Sequence, residues 1–443
     1  MSTSSSQLVV TARTVREVLN RPEAVEGISA ATKDPVKAAA ALAFLGRVQA
    51  AIDRAQAKMG DNVMAMPGAE DDAAREAAVL LSMLAEGEQG SVRVKPLEPG
   101  GQEAKFDTGN WLGWATVVVQ KLLHPVSHRM IRPPVQIQPF PNQGRIAMLG
   151  DWGTGLYGAP ICAARIANDP GSFAMLLHLG DVYYSGTHNE VKKRFLNVWP
   201  SRNDPGLIQR AINSNHEMYS GGYAYFDDTL RVFQQDASYF ALANDHWLLV
   251  GLDTAYVDHD MDQQQIDWLK AVLDHPSARS KKVLLVSHQQ LFSRLESQGW
   301  KLAEDAKLGS ILRNGRVKAW YWGHEHRCCI YDQHPDNGLF ARCIGHSGMP
   351  ETRGDVSGWN VERNLITPQD PVLWRRFDAT VKTKGGRTMN VPAGLVLDGR
   401  NRYILGEEEK FAPHGYATLD FNGPDLVERV LTPDGVEIHQ QKI

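Results

Sequence analysis

The sequence predicts a layered α/β domain behind an alanine-rich helical segment, and two patterns carry that expectation. From residue 145 onward short apolar strands alternate with amphipathic helical stretches, the order of elements that builds an α/β layered fold. Ahead of it, apolar residues recur at every third or fourth position, the period of a helix packed on one face. The 443 residues leave room for roughly two or three domains.

In the first segment Asp34-Pro35 supplies a cap and a first-turn proline, and Leu42, Leu45, Val48 and Ile52 follow at helical spacing until Gly60. Ala77, Leu80, Leu81 and Leu84 form a second stripe, and Trp111, Trp114, Val118 and Leu122 a third that stops at His124-Pro125. Such stripes are packing faces, so residues 1–140 read as a helical extension without chemistry of its own, a surface for a protein partner at most. Four prolines between Pro133 and Pro141 mark a linker. The second domain, 141–443, starts there.

Its expected elements are a strand at 145–149, a helix near 158–168, a strand at 174–179, a segment at 208–213, a strand at 247–252, a helix at 262–274, a strand at 282–287, a helix at 302–313 and a strand at 317–322. Strands this apolar are buried on both faces. GYATLDF and VERVLTPDGVEIHQQ read as antiparallel strands, the second pair turning at Asp434-Gly435. Residues 351–412, rich in turn residues, form an insertion in this run, either a lid or an edge extension.

The polar residues fall where the strands end. Asp151 follows RIAMLG, Asp181 follows AMLLHLG, Asn215-His216-Glu217 follows the 208–213 segment, His288 follows KKVLLVS, and His324 and His326 follow VKAWYWG. One aspartate after a strand is usually a helix cap, and one histidine a satisfied core residue. Donors at five strand ends, expected at one edge of the sheet, are hard to explain that way, because ligands of α/β sheets bind beyond the carboxyl ends of the strands. Hard oxygens mixed with imidazoles, without cysteine, suit zinc, manganese or iron.

Composition narrows the remaining classes. The 47 basic and 51 acidic residues give a net charge of −4, too small to steer nucleic acid to the whole protein. Cys162, Cys328, Cys329 and Cys343 have no repeated spacing, so they read as reduced thiols. The opening residues lack the basic start and apolar run of a secretory leader, and no stretch approaches ~18 apolar residues, so a soluble, cytoplasmic protein is expected.

GDWG, GDVYY, SNHE, LVSH and GHEH, in this order, resemble the five blocks of the calcineurin-like metallophosphoesterase superfamily, and GDWG with Tyr184 after Asp181 resembles the purple, tartrate-resistant acid phosphatase branch. The resemblance implies a β-sandwich flanked by helices. It implies that Asp151, Asp181, Tyr184 and His326 hold one metal ion, iron in that branch. Asp181 would bridge to a second ion, iron, zinc or manganese, completed by Asn215, His288 and His324. It further implies hydrolysis of phosphate esters, monoesters favoured, by hydroxide held between the two ions, with His216 placed to protonate the leaving alkoxide or to hydrogen-bond the phosphate. Without Tyr184 as ligand the site becomes a manganese or zinc phosphoesterase, and Tyr183 beside it is an equal candidate for packing. Ser214 stands where the family usually has glycine. A phosphodiesterase on the same site, or a non-catalytic scaffold on the same fold, are the alternatives.

Overall fold

The apolar runs at Gln143–Leu149, Met175–His178, Trp247–Gly251, Lys282–Val286 and Val317–Trp322 form the strands expected of them. The computed structural model describes residues 93–97, 101–105 and 127–443, apart from 172, 184–185, 201–205, 219, 258, 296–300, 355, 367–370, 385–386 and 407. The three helical stripes of the first segment lie outside the described residues. Within that segment, Arg93–Leu97 and Gly101–Lys105 pair as antiparallel strands, which the helical reading of residues 1–140 does not include.

The strands form two large sheets, in line with the sandwich that the resemblance implies, and differ only from the expectation that the donors share one sheet edge. The six-stranded sheet runs in the order Glu437–Lys442, Asp425–Leu431, Tyr416–Asn422, Gln143–Leu149, Met175–His178, Ile208–Ala211. Its last three strands are parallel, and the chain's final strands join antiparallel through Tyr416–Asn422. The turn expected at Asp434-Gly435 is made by Gly435 at φ 86°, a left-handed conformation that costs glycine least. The ten-stranded sheet has a parallel centre of Phe340–Ile344, Val317–Trp322, Lys282–Val286 and Trp247–Gly251. Val361–Ile366, Pro371–Phe377 and Gly394–Gly399 continue it beyond Cys328–Tyr331, so much of 351–412 lies at the sheet's edge.

Alternation along each strand explains the four layers. Ile146, Met148 and Leu177 of one sheet share a buried cluster with Leu284, Val286, Tyr321 and Ile330 of the other. Their neighbours Ala147, Leu149 and Leu176 face outward onto Cys162, Ala163 and Ile166 of the helix Gly158–Ala167. On the far side Val283, Leu285 and Trp320 pack on Ile266, Leu269 and Val272 of Gln263–Asp274. That helix starts at Asp262, whose side chain accepts from the Gln265 N–H. The result is a mixed α+β architecture, two β-sheets flanked by helices.

Polar links cross between the sheets, among them Trp374 Nε1 donating to the Ile438 carbonyl at 2.9 Å and a group centred on Glu428. Arg342 Nε donates to Glu428 Oε1 at 2.6 Å, and Tyr321 Oη donates to Glu428 Oε2 at 2.8 Å. Among the described residues no helix is long and apolar enough to cross a membrane.

Candidate metal centre

Six of the expected donors lie just beyond strand ends, three from each sheet. Asp151, Asp181 and Asn215 follow Gln143–Leu149, Met175–His178 and Ile208–Ala211 of the six-stranded sheet. His288 follows Lys282–Val286, and His324 and His326 follow Val317–Trp322, of the ten-stranded sheet. All six side chains are buried.

Two groupings share Asp181. On one side, His288 Nε2 lies 3.1 Å from Asp181 Oδ1 and 2.9 Å from Asn215 Oδ1, and His324 Nδ1 lies 3.2 Å from Asn215 Oδ1 and 3.3 Å from His288 Nε2. Donor atoms of Asp181, His288 and His324 fall within 4.8 Å of one another, a candidate metal-binding cluster. On the other side, His326 Nε2 lies 3.5 Å from Asp181 Oδ2 and 2.8 Å from the Tyr183 hydroxyl. Among the described residues Asp181 Oδ2 is buried without a hydrogen-bond partner, an expensive state for a carboxylate oxygen unless a cation meets it. The residues therefore fit a metal ion, by donor type and by this orphaned oxygen.

Asp151 is held by the opposite sheet's loop: its Oδ1 accepts from His324 N–H at 2.8 Å and its Oδ2 from His326 N–H at 2.9 Å. Such an approach needs neighbours without side chains. A Cβ on Gly345 would lie 2.1 Å from Asp151 Oδ2, and one on Gly323 2.6 Å from Oδ1. Backbone strain gathers here as well. Of the seven described non-glycine residues with positive φ, five are Asp151, Asp181, His259, His324 and His326, a concentration typical of functional sites.

Ser214 retains Asn215 in place and adds a contact that glycine could not make. Its φ is not positive, so glycine's backbone freedom is not required there. The hydroxyl lies 2.6 Å from Asp181 Oδ1 and also touches the Glu217 carboxyl. It has one proton for two acceptors, and Glu217 resolves the conflict: burial, then the charge of Asp181, push its carboxyl up to about 7.

The other shifts follow from the same crowding. Burial works to raise Asp181, but the charges of His288 and His216 overcome it and hold the carboxyl well below the usual carboxylate range. Burial raises Asp151 against the pull of His326. His288 is raised to about 9, because Asp181 outweighs the burial that would lower it. Burial, reinforced by the charge of His288, lowers His324 well below its ordinary value.

His216 is buried, and its ring stacks on Tyr183 with centroids 3.7 Å apart. Tyr184 lies outside the described residues, so the phenol seen against His326 is Tyr183. Glu325 accepts from Trp322 Nε1 at 2.8 Å and contacts Ser293, which pins the loop between the two histidines. His346 sits beside His414, where burial first and His414 second lower it to about 3. Two neighbours of the site escape the sequence reading. His259 Nε2 lies 3.3 Å from His324 Nε2, and Glu351 Oε2 lies 3.7 Å from His326 Nδ1. Neither follows a strand directly, and the VDHD stretch around His259 was the only hint.

Residues 144–328 match the family model described as calcineurin-like phosphoesterase. No curated protein sequence matches the chain. Among solved structures, a purple acid phosphatase from yellow lupin (Lupinus luteus) seeds is similar at 12% identity with a TM-score of 0.44, over 71% of this chain and 55% of that one. The chain thus spans little more than half of the lupin enzyme. PhoD is similar at 11% identity and a TM-score of 0.40, over 71% of this chain and 70% of that one. A conserved uncharacterized protein from Streptococcus pneumoniae, a predicted phosphoesterase, is similar at 9% identity and a TM-score of 0.27, over 68% of this chain and 97% of that one. The family match contains all six donors, and with the Asp181, His288 and His324 cluster it supports a metal-dependent hydrolase.

Proposed function

We propose that the protein is a dinuclear metal-dependent phosphomonoesterase. The observation that carries this reading is the position of Asp181, with Oδ1 toward His288 and the orphaned Oδ2 toward His326, as a bridging carboxylate requires. Asp151, Asp181 and His326 would hold one ion, and Asp181, Asn215, His288 and His324 the other. When bound, such a pair supplies Lewis-acid stabilisation of the phosphoryl oxygens and an acidified water. His216, stacked on Tyr183, presents its ring beside this centre and hands a proton to the departing alkoxide. Ser214 fixes the Asp181 carboxylate through its hydroxyl. The preference for monoesters rests on the resemblance of GDWG to the acid phosphatase branch.

A test compares hydrolysis of a mono-aryl and a bis-aryl phosphate by the full chain, with metal content measured in parallel. Monoester turnover that disappears on chelation and returns with zinc, manganese or iron is the expected result. Faster diester turnover would make the protein a phosphodiesterase, and full metal content with neither activity would make it a scaffold.

The phenol distinguishes the branch. The resemblance assigns it to Tyr184, whereas the Tyr183 hydroxyl lies 2.8 Å from His326 Nε2. An iron-loaded protein with a phenolate ligand is coloured, and whichever of Tyr183→Phe and Tyr184→Phe removes the colour identifies the ligand. Colour in both variants, or none in the iron-loaded wild type, would sink the purple assignment and leave the phosphoesterase reading standing.

A further inference from the structure

An imidazole that binds a metal through one nitrogen carries its proton on the other, and the acceptor of that proton fixes the ring's tautomer and orientation. His288 follows this pattern: Nδ1 donates to the Leu179 carbonyl at 2.7 Å and leaves Nε2 for the cluster. His326 presents Nε2 to Asp181 and Nδ1 toward Glu351. His324 is reversed, with Nδ1 among Asn215 and His288 and Nε2 pointing the other way, at His259 Nε2, 3.3 Å distant. The two rings meet edge to face, with centroids 5.1 Å apart and planes at 76°.

We infer that His259 is a positioning residue for the metal centre, accepting the Nε2 proton of His324 and so reserving Nδ1 of that ring for the metal. The inference rests on the metal-centre reading above. The 3.3 Å approach of the two Nε2 atoms is the geometry such a hydrogen bond needs. The loop is built to hold it. Val257 and Asp260 close a short bridge around it, with Asp260 N–H donating to Val257 O at 2.8 Å, and Asp260 is tied to Lys307. Within that bridge His259 takes a φ of 54°, a left-handed conformation that is uncommon outside glycine. A histidine kept there for packing alone would be served better by glycine.

That last point separates a positioning role from a structural one. Zinc affinity of the full chain is measured by competition with a chromophoric chelator for wild type, His259→Ala, His259→Gln and His259→Gly, and the melting temperature of each is measured without metal. Wild type should take up two zinc ions. His259→Ala should bind one of them ~10- to 100-fold more weakly, the usual cost of losing an acceptor behind a metal ligand. His259→Gln, whose amide oxygen can take the same proton, should recover part of that loss. His259→Gly should match alanine in affinity and exceed it in metal-free melting temperature, because glycine tolerates the positive φ. Affinity then follows the acceptor while stability follows the backbone. Wild-type affinity in His259→Ala, glutamine no better than alanine, or affinity losses that track the melting temperatures would each overturn the inference and leave the two-metal reading intact. A wild-type chain that binds none of zinc, manganese and iron would overturn both.

Discussion

The two sheets arrive at the site with different chemistry. The six-stranded sheet delivers oxygens, from Asp151, Asp181 and Asn215, and the ten-stranded sheet delivers imidazoles, from His288, His324 and His326. Each half is oriented by the backbone of the other. Amides of His324 and His326 hold the Asp151 carboxylate, and the Leu179 carbonyl holds the His288 ring. Neither sheet therefore contains a site that could exist alone. The centre is a property of the sandwich interface, and a change that shifts one sheet against the other would reach it without touching a donor.

Substitutions on the two sides should differ accordingly. Asp181 alone faces both groupings, so Asp181→Asn should show the largest effect. Hydrolysis should fall by at least ~10³-fold, the upper range for one electrostatic contact at a reaction centre, with loss of metal and an unchanged circular dichroism spectrum. Near-normal turnover with full metal content would remove Asp181 from the centre of the comparison.

His216→Ala should come next, retaining metal while turnover drops ~10²- to 10⁴-fold, the range of general acid catalysis. The loss should be larger for alkyl than for aryl phosphates, whose leaving groups need less help. Equal losses would make His216 a phosphate-positioning group.

The smallest effect on turnover, and a clear one on stability, is expected where the sheets are tied. Glu428→Ala leaves Arg342 buried without its partner, a change that typically costs ~3–5 kcal/mol, and the melting temperature should fall while metal content at low temperature is kept. Burial would raise the Glu428 carboxyl, but Arg342, with His439 and Tyr321, holds it below its ordinary value. A carboxyl depressed in the folded state adds stability above the unfolded carboxylate range and loses it as the pH falls through the folded value. Acidification should therefore lower the wild-type melting temperature more than that of an Arg342→Met, Glu428→Leu double variant. Parallel pH profiles would show that this link does not hold the sheets together.

What could be read from the sequence follows the same division. The six donors are legible because each comes directly after an apolar run, where the strand itself fixes the direction of the next few residues. His259 and Glu351 are not, because each reaches the site through a loop whose closure depends on contacts such as Asp260 with Lys307 and Glu351 with Arg327. The strands at Gln143–Leu149 and Lys282–Val286 belong to different sheets, yet both are apolar on both faces, so nothing in their pattern tells the two sheets apart. Cys328 and Cys329, just after GHEH, read as buried strand residues, and the strand Cys328–Tyr331 contains them. The contacts of Tyr183 with His326 and His216 are not legible, because spacing does not choose between two adjacent tyrosines.

Phe340–Ile344 supplies no donor, yet Gly345 at its end is the floor on which Asp151 rests. Any larger residue there would have to displace the carboxylate, so Gly345→Ala should behave in an activity screen like the loss of Asp151 itself. Positions that define the centre by what they leave empty would be scored by such a screen as chemical residues, and an engineer redesigning the site would have to conserve its vacant volumes as strictly as its ligands.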